Sequence, residues 1–158
     1  MKIFRDKLIL GAVAGLIADI IQNIAQWPLL KLGILKYDLD VLAGSLFIWA
    51  KGDLLLMSPL GQFIGFLSGL ALSIILGITF VYIIQASGFQ YVKCKGILYG
   101  FVLWFLIYGG ARAALHLSPI RDDNPRHTIV QLVIHLLFGY IVGLLISKQG
   151  GVIMKDES

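Results

Sequence analysis

The stretch Leu8–Leu30 constrains this chain more than any other. At ~1.5 Å per residue it spans ~34 Å as a helix, enough to cross a hydrocarbon core of ~30 Å. Yet it carries Asp19, Gln22, Asn23 and Gln26 in its outer half. Their i, i+3, i+4, i+7 spacing puts them on one helical face, and Gly11 and Gly15 extend that face toward the N-terminus. Lipid cannot satisfy such a stripe, so neighbouring helices must cover it. The basic start with Lys2, Arg5 and Lys7 is that of a signal peptide, but the four polar residues and the length predict a retained helix.

Composition points the same way. The 158 residues are 58% hydrophobic and 14% charged, against roughly 25% charged in soluble domains. The mean hydropathy is +0.88. These values predict an all-α integral membrane protein of one domain. The net charge of +4 comes from basic residues scattered at the ends of apolar runs, not gathered on one surface. That pattern suits anionic lipid headgroups and excludes a nucleic-acid partner. The single cysteine, Cys94, excludes an intrachain disulfide and reads as an incidental free thiol.

Three further spans complete a predicted four-helix bundle. The first helix covers about 8–30, and Trp27 and Pro28 mark its outer end as an interfacial anchor and a stop or kink. The second covers about 58–85 and opens on Ser58-Pro59, a cap followed by proline. The third covers about 96–117. The fourth covers about 125–147 after Asn124-Pro125, with a polar tail over 148–158. Between the first two spans, about 39–50 is apolar but too short to cross. It reads as an interfacial helix capped by Asp38 or Asp40, with a re-entrant loop as the alternative.

Small residues recur at spacing four. Gly61, Gly65, Gly69, Ser73 and Gly77 form one ladder, Gly96 and Gly100 open another, and Gly139 and Gly143 follow Gln131 and His135 on the last helix. Such ladders let backbones approach closely. The two halves also look related, with the second and fourth helices in register at an offset of 70. Four spans put both termini on one side. Termini-inside leaves seven basic residues in inner segments and five in outer ones.

Rise per residue places the polar groups in depth. Asp19 falls ~17 Å, Asn23 ~23 Å, Tyr108 ~18 Å and Arg112 ~24 Å from the inner boundary. Gln131 and His135 fall in the same layer, so one buried cluster of Asp19, Gln22, Asn23, Gln26, Tyr108, Arg112, Gln131 and His135 is expected. Pairing of Asp19 with Arg112 would offset part of the burial cost. The candidates for ligand or ion coupling are therefore Asp19, Gln22, Asn23, Arg112, Gln131 and His135. No motif for nucleophilic, metal-dependent or nucleotide chemistry is present, so no catalytic residue, metal or cofactor is expected. His116 and His127 near Asp122 and Asp123 match no established ligand spacing.

Residues from about 48 to 147 resemble the YqhR-like membrane proteins of spore-forming Gram-positive bacteria. The resemblance lies in Gly61-Gln62, in Lys95-Gly96-Ile97-Leu98-Tyr99-Gly100 followed by Leu103-Trp104, in Asn124 ahead of Thr128, and in Leu137, Gly139, Gly143 and Ile146-Ser147. The first helix, with Asp19-x-x-Gln22-Asn23, departs from that pattern. The resemblance implies a four-helix plasma-membrane protein and assigns no ligand residue. The expected role is an accessory or structural component without enzymatic activity, whose partners are the lipid bilayer and either a second copy or another membrane protein. The competing reading is a small oligomeric proton-coupled transporter or channel-like protein using Asp19.

Overall fold

The computed structural model describes residues 6–48, 58–111 and 125–149. Helix α1 covers Lys7–Lys31, the short α2 Leu39–Gly44, α3 Pro59–Ser87 and α4 Val92–Phe105, which continues as a π-helix over Leu106–Ala111; α5 covers Pro125–Ser147. All described residues are helical or connecting turns. Among the described residues, four helices have the length and apolarity to cross a membrane. Their outward side chains are large and apolar, among them Ile20, Ile24, Phe63, Leu98 and Val133. Every long helix thus carries an apolar outward face of the kind that lipid tails can cover.

Local chemistry explains the helix starts. The Asp6 carboxylate caps α1, accepting from Leu8 N at 2.7 Å and Ile9 N at 3.2 Å. Ser58 Oγ accepts from Gly61 N at 3.1 Å, and Pro59 takes the first helical position. Helix α1 matches the expected bounds but is not stopped at Pro28, and the start of α4 differs from expectation. Helix α1 runs through Pro28 to Lys31, with Trp27 exposed beneath the Lys31 ammonium, 5.6 Å from its ring centre. Helix α4 starts at Val92, not Gly96, because the chain turns tightly at Gly88 (φ 84°) and Tyr91 (φ 57°). Lys95 Nζ then donates to Ser87 O at 2.8 Å and Gly88 O at 2.7 Å, tying the start of α4 to the carbonyl end of α3.

The glycine ladders sort the bundle into two pairs. In the first, α1 lies on α3: a Cβ built on Gly11 would stand 2.5 Å from Ile78 Cα, and one on Gly15 would meet the Ser73 carbonyl oxygen. In the second, α4 lies on α5: a Cβ on Gly100 would meet the His135 carbonyl oxygen, and one on Gly139 the Gly96 oxygen, with Gly143 also against Gly96. The pairs repeat one another, since Gly11 and Gly15 correspond to Gly96 and Gly100. The partner register corrects the expected offset. Ser73 corresponds to His135 and Gly77 to Gly139, an offset of 62, two turns from the 70 read off the ladder. The apolar core between the pairs includes Leu10, Ala14, Phe80, Val81, Phe138 and Val142. Tyr99 Oη joins them by donating to Leu76 O at 3.0 Å.

The ladder on α3 is longer than α1 needs, and α2 uses the surplus. Gly44 packs on Gly65, where a Cβ on Gly44 would stand 2.9 Å from Gly65 Cα. A Cβ on Gly65 would stand 2.6 Å from Asp40 O, and one on Gly69 would meet Asp40 Oδ1. Gly69 lies ~15 Å along α3 from its start. The short segment expected between the first two spans is this helix, and it packs along α3. It ends at Gly44 and turns back alongside α1 and α3, with Val41, Leu42, Ala43 and Gly44 buried.

Candidate functional site

The turn back of α2 delivers a carboxylate to the polar face of α1. Asn23 Nδ2 donates to Asp19 Oδ2 at 3.3 Å and to Asp40 Oδ2 at 3.4 Å. The orientation of that amide is set by its neighbours. Leu39 N donates to Gln26 Oε1 at 3.3 Å, so the Gln26 amide nitrogen faces the other way and donates to Asn23 Oδ1 at 3.3 Å. The Asn23 nitrogen is thereby turned toward the two acids. Asp38 is the residue that caps α2, accepting from Val41 N at 2.9 Å, which leaves Asp40 for the site.

Asp19 is buried, and Ser73, whose hydroxyl donates to Leu70 O at 2.9 Å, lines the same cavity. Asp40 is half-buried. Burial pushes its carboxyl up to about 7 from 3.8; the nearby Asp38 and Asp19 carboxylates add to that rise, and the Asn23 amide opposes it. No lysine or arginine among the described residues pairs with either acid. This shift has a sign that can be measured. Folded protein keeps the Asp40 proton up to about pH 7, whereas unfolded chain releases it near 3.8. Native protein binds more protons across that window, so the Asp40 contribution to stability is present below it and is lost as pH rises through it. Melting curves of Asp40→Asn between pH 4 and 7 are expected to be flatter than those of the parent.

Both acids line a cavity of about 260 Å³ between α1, α2, α3, α4 and α5. It exists because α3 makes few contacts with α4 or α5 at this level. Gln22, Ser73 and His135 supply the other polar groups of the wall, and the rest is apolar. His135 is 4% exposed, and its Nδ1–H donates to Gln131 O at 2.7 Å. That bond leaves Nε2 as the acceptor nitrogen of a neutral ring. The π-helical turn contributes Leu106 and Ile107 to the same wall. A widened turn of this kind commonly marks a functional site.

The eight-residue cluster expected from depth is therefore divided. Asp19, Gln22, Asn23 and Gln26 do share one face, joined by Asp40. Tyr108, His127 and His135 form a ring group on the other side, with Tyr108 6.1 Å from His135 and 6.5 Å from His127 between ring centres. Gln131 is fully buried, and neither its amide atoms nor the Tyr108 hydroxyl meets a hydrogen-bond partner among the described residues. Arg112, His116, Asp122, Asp123 and the outer part of the third predicted helix lie outside the described residues. So do residues 49 and 50 of the predicted interfacial segment and most of the polar tail. Among the described residues no three His, Cys, Asp or Glu side chains come together as a metal site would require.

Asp40 is the site residue that the sequence did not single out. Its signal was the unused upper part of the α3 ladder, Gly61 to Gly69, which implied a second partner beyond α1. Neither family models, curated proteins nor solved structures yield a match to this chain. The site must be read from its own chemistry.

Proposed function

We propose that this protein is a small multi-pass transporter of a bacterial cytoplasmic membrane, with both termini cytoplasmic, in which Asp19 and Asp40 couple solute movement to protons. The observation that carries this reading is the Asn23 amide held between two carboxylates from different segments at a cavity wall. In a bilayer, α2 would be a re-entrant segment, which is tolerated only where protein covers it or where it lines a cavity. Two acids around one amide in an apolar setting favour a proton held between them until a cation takes its place. Acidic groups at such depth are costly and mark substrate or ion paths. The YqhR-like resemblance supports the membrane setting and contributes no site residue, since Asp19 and Asp40 both lie outside its span of residues 48–147.

The expected result is a proton flux in proteoliposomes under an imposed pH gradient that Asp19→Asn removes while the protein still elutes and melts like the parent. Absence of flux under any imposed gradient would retire the transporter reading. What then remains is an accessory component that self-associates or binds a membrane partner through its apolar outer faces. In that case Asp19→Asn would change stability alone.

A further inference from the structure

We propose that the cavity binds a small lipophilic primary amine in its ammonium form, which enters sideways from the bilayer; this rests on the transporter reading and names its substrate class. Size comes first. An apolar cavity of about 150 Å³ holds benzene, and drug-sized ligands need about 300–1,000 Å³. A volume of about 260 Å³ therefore fits one ring with a short alkyl arm. Leu72, Leu76, Leu103 and Phe138 supply the surface such a ring would cover.

Charge selects the head group. Asp19, 7% exposed, and Asp40 face the cavity with no cation among the described residues beside them. An anion would be repelled, and a neutral solute would bring the acids no counter-charge. A further acceptor stands on the opposite wall, apart from the acids. His135 is 4% exposed, lines the cavity, and has its Nδ1 proton committed to Gln131 O. Its Nε2 has no hydrogen-bond partner among the described residues and carries a lone pair. A primary ammonium brings more than one N–H donor to Asp19 and Asp40, which stand on either side of the Asn23 amide. An inorganic cation would gain nothing from the apolar walls.

The route follows from exposure. Leu46 and Leu106 line the cavity, yet they are 43% and 54% exposed. The cavity thus opens to the outside between the end of α2 and the π-helical turn of α4. Both lips are leucine, so a solute dissolved in the acyl region passes them without shedding hydration.

The test is equilibrium binding of tritiated 2-phenylethylamine to the full chain in lipid nanodiscs, with 2-phenylethanol as neutral competitor. Saturable amine binding is expected, with the alcohol at least tenfold weaker. Asp19→Asn should weaken the amine at least tenfold. Leu72→Trp, which fills the cavity and leaves both acids in place, should abolish binding in protein that elutes and melts like the parent. Alcohol binding within threefold of the amine, or amine affinity unchanged in both variants, overturns the proposal. Amine binding without proton flux supports the site and removes the transporter reading. Proton flux without amine binding does the reverse.

Discussion

Gly100→Val separates α4 from α5 and lowers stability by about 3 kcal/mol or more. A single Cβ at this position already meets the His135 carbonyl oxygen and stands 2.9 Å from its carbonyl carbon. Both atoms are helical backbone, so no rotamer change relieves the contact. The helices must part, and every contact from Val92–Gly143 to Gly100–His135 loosens with them. Overpacked cores cost typically 1–3 kcal/mol where side chains can shift; here they cannot, which places the effect at the upper end or beyond. The measurement is a denaturant or thermal melt in detergent. Gly110→Ala is the matched control, since nothing lies within 4 Å of a Cβ there. Equal melts for the two variants would contradict the packing described for α4 and α5.

Gly65→Val drives α2 out of its notch and breaks the site without touching any of its polar side chains. A Cβ at Gly65 stands 2.6 Å from Asp40 O and 3.0 Å from its carbonyl carbon, again backbone. The displaced segment takes with it the Leu39 N–Gln26 bond that orients Asn23. Gly69→Ala offers a graded comparison, because its new Cβ meets the Asp40 carboxylate oxygen, which can rotate away. Ser45, buried at 5% exposure just after α2 and not on the cavity wall, reports the difference. In a Cys94→Ser background, which removes the exposed native thiol, Ser45→Cys is expected to resist a membrane-permeant maleimide in the parent. With Gly65→Val added, labelling should rise at least tenfold, and with Gly69→Ala it should change little. Protection in all three would mean that α2 is held by something other than the glycine notch.

These variants also separate what could be read along the chain from what could not. The presence of four long apolar helices follows from apolar length, and the start of α3 from Ser58-Pro59. The shared face of Asp19, Gln22, Asn23 and Gln26 follows from the 3.6-residue period, which is a local property. Small residues at spacing four foretold close approach, but a ladder does not say which helix will lie on it. Ser73 and Gly77 receive α1, whereas Gly65 and Gly69 on the same row receive α2. The register error of two turns between the halves has the same origin, since a repeating row matches itself equally well at several offsets.

The sequence by itself determined that there are four oily helices, the polar seam on the first and the rows of small residues, because each depends on composition and period within one segment. Only the tertiary structure decided where the six residues of α2 go, and with them the pairing of Asp40 with Asp19. So short a helix has little periodicity of its own, and its place is set by a notch in α3 and by an amide on α1, both remote in the chain.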